Sequence, residues 1–258
     1  MTQVTLAKVG GKIIDDPQAL EAFLKQFAAL KGPKVLVHGG GKLATKISEA
    51  MQLKVNMVDG RRITDAPTLD VVTMVYSGKI NTSIVAKLQA FGCNALGFSG
   101  SDGHVIEAVK RPVQTIDYGF VGDVVTVHGE TLKLLLNNNI TPVFCALTAD
   151  NDGQLLNTNA DTIAAELAIG LSQDFETALY YCFEKKGVLR DINDDQSTIT
   201  HITPNDFETL QQEGIVSEGM LPKLNNCFHA VKHNVSKVCL GQPDMLFNPN
   251  YKFTTITQ

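Results

Sequence analysis

"KVLVHGGGKLATKISEAM", residues 34–51, decides how the rest of the chain is read. Val35, Leu36 and Val37 make an unbroken apolar run of the kind found in a strand buried on both faces. His38 and three glycines follow. Leu43, Ala44, Ile47 and Met51 then recur at helical spacing. A buried strand that turns through glycines straight into a helix is half of a βαβ unit, and the sheet it belongs to is parallel and covered by helices.

The same alternation extends in both directions. "VTLAKV" (4–9), "NALGF" (94–98), "TPVFCAL" (141–147), "ALYYCF" (178–183) and "KVCLG" (237–241) suit buried strands. "DDPQALEAFLKQFAALKG" (15–32) suits a helix with Asp16 as N-cap, Pro17 in its first turn and Gly32 at its C-cap. "VTMVYSGKINTSIVAKLQAFG" (72–92) suits a long helix, and "HVIEAVKR" (104–111) with "YGFVGDVVTVH" (118–128) a hairpin-like insertion. The predicted fold is α/β, a three-layer αβα sandwich around a mainly parallel open sheet. A lobe boundary falls near "GLSQDF" (170–175), giving an N-terminal lobe of 1–172 and a C-terminal lobe of 173–258.

Composition narrows the function classes. The chain has 258 residues, 44% hydrophobic and 19% charged, with a formal charge of -5. That charge argues against nucleic acid as the main partner, since a phosphate backbone demands a basic face. No apolar run reaches the roughly 20 residues of a membrane span, and no secretory signal is visible at the start. Cys93, Cys145, Cys182, Cys227 and Cys239 are scattered, with no CxxC and no Cys/His cluster, so they suit buried reduced thiols better than disulfides or a resident metal. A cytoplasmic location is expected.

"HGGGK" (38–42) admits three readings. A Walker A loop is excluded, because Leu43 stands where Ser or Thr is needed. A dinucleotide fingerprint fits Gly39, Gly41 and Ala44, with Asp59 about twenty residues on. A purely structural turn fits too. Other stretches bear on the choice. "KVGGK" (8–12) is a second glycine turn at a strand end, and two such turns can present N–H groups to one anion. "NTNAD" (157–161) runs into an apolar-faced helix and puts Asp161 in its first turn, where a carboxylate is favoured. "EGMLPK" (218–223) puts Lys223 at another helix start, against the helix dipole, a cost that a phosphate there would offset.

"KVGG", "VHGGGK", "DGRRIT", "NTNAD" and "GMLPK", in this order and across essentially the whole chain, resemble the amino acid kinase family, in particular those members that phosphorylate the γ-carboxylate of N-acylated glutamate in arginine biosynthesis. The dinucleotide reading leaves "NTNAD" and "GMLPK" unexplained. The resemblance implies MgATP as phosphoryl donor, with Mg²⁺ held mainly by phosphates and water. It implies Lys8 and Lys223 on either side of the phosphoryl group and Asp161 as their organiser. Gly10, Gly11 and Gly39 would serve the phosphates, and Gly40, Gly41, Arg62 and Asn157 the acylglutamate. A carboxylate acceptor is ionised at neutral pH, so no general base is required. His38 would shape the glycine turn, while His104, His128, His201, His229 and His233 fall outside the motifs and suit surface or structural positions.

On the nucleotide side the pattern departs from the family. "CFEKKGVL" (182–189) replaces the usual Thr/Ser-Asp-Val-x-Gly, with Glu184 for the aspartate and Gly187 kept as a turn, and the usual Gly-Thr is missing from "FNPNYKFTTITQ" (247–258). The motifs do not separate an N-acetyl from an N-succinyl substrate. Aspartokinase and glutamate 5-kinase usually carry appended domains for which there is no room here, and a non-catalytic nucleotide or amino-acid binder would not need Lys8, Asp161 and Lys223 together. With the first strand starting so near Met1, and no helix ahead of it, a homodimer through the first lobe, insensitive to arginine, is expected.

Overall fold

A computed structural model describes residues 1–58, 60–216 and 220–257. Asp59 and Gly219, both singled out above, lie outside the described residues. Among the described residues, eight strands form one sheet. In chain order they are β1 (Gln3–Val9), β2 (Lys34–His38), β3 (Ala95–Phe98), β6 (Thr141–Phe144), β9 (Glu176–Cys182), β10 (His201–Ile202), β11 (Lys237–Gly241) and β12 (Thr254–Ile256). Their order across the sheet is β10-β12-β11-β9-β1-β2-β6-β3. Every pairing is parallel except β11 with β12. The sheet explains the apolar runs: all five residues of β2 are buried, as the parallel covered arrangement requires.

A second sheet of four strands lies beside the N-terminal half, with β4 (Ile106–Lys110), β5 (Gly122–Val127), β7 (Leu147–Ala149) and β8 (Leu155–Asn157) in the order β8-β7-β4-β5. β4 and β5 are the predicted antiparallel hairpin, with Lys110 opposite Gly122.

Helices complete the layers. α1 (Pro17–Ala29) starts as predicted, with Asp16 Oδ1 accepting from the N–H groups of Gln18 at 2.9 Å and Ala19 at 3.1 Å. Its end differs. The C-cap residue is Leu30, and Gly32 comes two residues later in a turn at φ 82°. The buried Lys34 ammonium does the capping, donating to Ala28 O at 2.9 Å and Leu30 O at 2.7 Å. A cation there satisfies open carbonyls and the helix dipole together. α2 (Gly41–Ala50) follows the glycine turn.

The long helix starts earlier than its apolar pattern indicated and is not uniformly α. α3 (Ala66–Thr73), capped by Asp65, runs into a π-helical stretch, Met74–Asn81, and then into α4 (Thr82–Ala90). α5 (Gly129–Asn137), α6 (Ala160–Leu171), α7 (Pro204–Gln212) and α8 (Leu221–Lys232) follow. α6 packs on β1, β2 and β9 as well as on α8. It ends at Leu171, so the expected boundary is a helix-to-strand turn, and β9 beyond it pairs directly with β1. All five cysteines are free and buried. No described helix is long and apolar enough to cross a membrane.

Candidate active site

The carboxyl ends of β1 and β2 carry the two glycine turns. Lys8 lies near the end of β1, and the missing side chain of Gly10 makes room for it, since a β-carbon there would come within 2.7 Å of Lys8 Nζ. Gly11 holds φ 52° and opens the short helix Lys12–Asp15, with the Glu184 carboxylate against it. Asn159 caps α6 by accepting from Asp161 N–H at 2.8 Å and Thr162 N–H at 3.2 Å. That cap fixes Asp161 in the first turn of α6, as Pro222 fixes Lys223 in the first turn of α8.

Three residues far apart in sequence therefore meet. Lys8 Nζ stands 2.8 Å from Asp161 Oδ1, and Lys223 Nζ stands 2.5 Å from Asp161 Oδ2. Each side chain is less than a fifth exposed. Burial alone would raise the Asp161 carboxyl pKa, but the charges and hydrogen bonds of Lys8 and Lys223 outweigh it and hold the group well below the usual carboxylate range. For Lys8, burial dominates and lowers the ammonium pKa, with Lys223 pushing the same way and Asp161 opposing. Tyr181 braces both sides of the cluster: its hydroxyl donates to Asp161 O at 2.8 Å, and its ring lies 5.0 Å from Lys223 Nζ.

A cavity opens beside this cluster, walled by Gly39–Gly41, Arg62, Asn157 and the start of α6. Gly40 is the N-cap of α2 and no side chain caps that end, so the first N–H groups of the helix are left for a ligand. A β-carbon on Gly40 would run into Ile80 Cδ1 and approach the Tyr76 ring at 3.2 Å. The glycine is demanded by the chain's own packing. Gly39 departs from expectation, because its N–H donates to Val9 O at 3.2 Å and is not available to a phosphate. It contributes an open, bare wall instead.

Arg62 is buried. Its Nη2 donates to Gly41 O at 2.9 Å and Thr45 Oγ1 at 2.8 Å, while Nη1 is buried without a hydrogen-bond partner. Asn157 donates through Nδ2 to Thr64 Oγ1 at 3.0 Å. Thr64 in turn donates to Arg62 O at 3.0 Å, which ties the two cavity residues together. Gly187 is not brought to this cluster: its bare Cα packs against Thr254 and Thr198.

His38 does shape the glycine turn. Its Nδ1 lies 2.8 Å from Gly39 O, which can only accept, so Nδ1 carries the proton. Its Nε2 then accepts from Asn81 Nδ2 at 3.0 Å. Burial, helped by the Lys8 charge, lowers the imidazole pKa to about 4. With both nitrogens engaged and the ring neutral, His38 is a support and not a base. Asn81 and Tyr181 were missed in the sequence, where each stands in an ordinary run with no motif around it, while Thr64 closes "DGRRIT" but was given no role there.

A profile described as "Amino acid kinase family" matches residues 3–242. The chain belongs to the amino acid kinase family. Among curated members, an acetylglutamate kinase of Cytophaga hutchinsonii is 53% identical over 247 residues, 95% of this chain and 94% of the relative. One of Bacteroides thetaiotaomicron is 53% identical over 238 residues, 92% of this chain and 93% of its own length. Of solved structures, a Streptococcus mutans protein superposes with a TM-score of 0.81 at 25% identity, over 98% of both chains. The carbamate kinase of Giardia lamblia bound to AMP-PNP does so at 0.72 and 14% identity, over 100% of this chain and 98% of that one, a likeness of fold. In this chain the Lys8–Asp161–Lys223 cluster stands beside the cavity walled by the glycine turn and the start of α6.

Proposed function

We propose that this chain is an acetylglutamate kinase, moving the γ-phosphoryl group of ATP to the γ-carboxylate of N-acetyl-L-glutamate. The observation that carries the reading is the pair of ammonium groups held on one buried carboxylate, with the nearby His38 engaged through both ring nitrogens. Such a site suits an acceptor that is already an anion. Its task is electrostatic: to let two anions meet and to offset the charge that spreads over the migrating phosphoryl oxygens. The attacking carboxylate oxygen forms the new P–O bond as the bond to the β,γ-bridging oxygen breaks, and no proton need move.

In this reading Lys8 and Lys223 flank the migrating group and Asp161 keeps both in place. Gly10 and Gly11 admit the phosphates, and Gly40 and Gly41 offer N–H donors to the substrate carboxylate. The orphaned Nη1 of Arg62 takes the α-carboxylate together with Asn157. Both Asp161 oxygens face an ammonium, so Mg²⁺ would be held by phosphate oxygens and water. When bound it neutralises phosphate charge. Residues 1–172 would bind the acylglutamate and residues 173–258 the nucleotide, with Gly187 keeping a turn on that side. The relatives' names favour the acetyl group, and so does Arg111. It lines the cavity, but its Nε and Nη2 are committed to Asp123, leaving those donors unavailable to the second carboxylate of a succinyl group.

A homodimer is part of the proposal, supported by Leu96 on the edge strand β3, which is 46% exposed. Buried thiols suit a cytoplasmic protein. The test is trapping of the acyl phosphate as a hydroxamate, with MgATP, hydroxylamine and either N-acetyl- or N-succinyl-L-glutamate, and Lys8→Ala as control. Hydroxamate from the acetyl substrate, lost in the variant, is expected. Its absence with both substrates would overturn the kinase reading, and its appearance only with the succinyl substrate would overturn the choice of acyl group.

A further inference from the structure

We propose that His104, Glu107 and His128 form a binding site for a divalent transition-metal ion, best matched by zinc, apart from the phosphoryl-transfer cleft. The three come from different elements: His104 ends the turn Asp102–His104 after β3, Glu107 lies on β4, and His128 follows β5 as the N-cap of α5. Their ligand atoms all lie within 4.8 Å of one another. Tetrahedral zinc, with bonds of about 2.0–2.2 Å, sets its ligand atoms roughly 3.3–3.5 Å apart. His128 Nε2 and Glu107 Oε2 are already at 3.7 Å. Both imidazoles are exposed, so rotation about their side-chain bonds closes the remaining gap without moving backbone.

Two further features fit a ligand set better than a chance cluster. The His104 and His128 rings stack with centroids 4.8 Å apart and planes inclined by 17°, so the two imidazoles already lie side by side. The second oxygen of Glu107 accepts from Asn151 Nδ2 at 2.9 Å, which orients the carboxylate as outer hydrogen bonds do around metal ligands. Two nitrogens and one carboxylate oxygen leave a fourth position for water, and this donor set suits zinc over magnesium or calcium. The other histidine pair does not qualify. His229 meets Glu166 at 3.0 Å, but His233 turns its Nδ1 to the His229 carbonyl. Buried thiols do not compete for the ion in the folded chain.

The location gives the ion a mechanical role. Glu107 and His128 stand at one end of the β4–β5 hairpin, and Gly122, Arg111 and Asp123 wall the cavity at the other. An ion would pin the hairpin to the turn at His104 and stiffen that wall.

The test uses tag-free, full-length protein dialysed against a chelator, titrated with zinc chloride in a calorimeter and with cobalt(II) in an absorption spectrometer. One zinc per chain is expected, with a tetrahedral cobalt spectrum and a zinc-dependent rise in Tm. His104→Ala, Glu107→Gln and His128→Ala should each weaken zinc at least about tenfold, as loss of a ligand must when loss of an outer partner alone costs 10–100-fold. His229→Ala should leave it unchanged. No saturable binding, binding that survives His104→Ala with His128→Ala, or binding lost in His229→Ala would each overturn the site. None of these outcomes depends on kinase activity.

Discussion

Asp161→Asn replaces the shared carboxylate by a neutral group of the same shape and leaves Lys8 and Lys223 facing each other. In the native chain the carboxylate lies 2.8 Å from one ammonium and 2.5 Å from the other. Removing one partner of a buried ion pair costs about 3–5 kcal/mol. The residual exposure of these side chains moves the expectation to about 3 kcal/mol. An upper bound comes from titration. Lys8 can escape the repulsion by losing its proton, and doing so at pH 7 from an ordinary pKa near ~10.4 costs about 5 kcal/mol. The same escape fixes the sign of the pH dependence. In the variant the opposition from Asp161 is gone, so the folded-state pKa of Lys8 falls below its already lowered value while the unfolded value stays. Between the two the unfolded chain binds more protons, so stability of the variant rises with pH. Urea denaturation at pH 7 and pH 9.5 measures this directly: the gap to wild type should be about 3 kcal/mol and then narrow. The hydroxamate assay should show kcat lower by about 10²–10³, the loss typical of disordered charge stabilisation. A gap under about 1 kcal/mol, the value of an exposed pair, or one indifferent to pH, would refute the account of the cluster.

Arg62→Lys keeps the charge but loses the fork that reaches Gly41 O and Thr45 Oγ1, so KM for the acylglutamate should rise about 10–100-fold with kcat nearly unchanged. A fall in kcat at constant KM would assign Arg62 to the reacting end instead. Gly40→Ala pushes a methyl group into Ile80 and should cost about 1–3 kcal/mol in urea denaturation, an effect that Ile80→Ala in the same chain relieves. His38, neutral in the fold down to about pH 4, charges in the unfolded chain near ~6.5, so stability should fall by about 3 kcal/mol as pH drops from 6.5 to 4. In His38→Asn that slope should flatten, and an unchanged slope would place the titration elsewhere.

Much of this architecture is legible in the residues because its signals are local. Asp16 and Pro17 announce a helix start by chemistry that needs only the next three residues. Val35–Val37 announce a covered strand, and the five short motifs mark the strand ends and helix starts around the cleft. What escaped depends on how the elements pack once the sheet has formed. The cap on α1 is supplied by Lys34, a lysine inside a buried strand, which displaces the expected role of Gly32. The π-helical stretch at 74–81 has the same apolar content as an ordinary helix. Its effect, aiming Ile80 at Gly40 and Asn81 at His38, appears only once the sheet is in place. Gly39 kept its motif position but spends its N–H on Val9, a partner thirty residues away. The His104–Glu107–His128 cluster has no recognisable spacing, because three separate elements assemble it.

The place of β1 in the sheet bears on how the chain is made. β1 is an interior strand, with β2 on one edge and β9, residues 176–182, on the other. Until residues 176–182 have emerged from the ribosome, that second edge of β1 has no mate, and the Lys8 ammonium has no Asp161 until residue 161 has emerged. Lys223 completes the cluster later still. A nascent chain thus carries an open strand edge from the emergence of β1 until that of β9, the condition in which neighbouring chains pair wrongly.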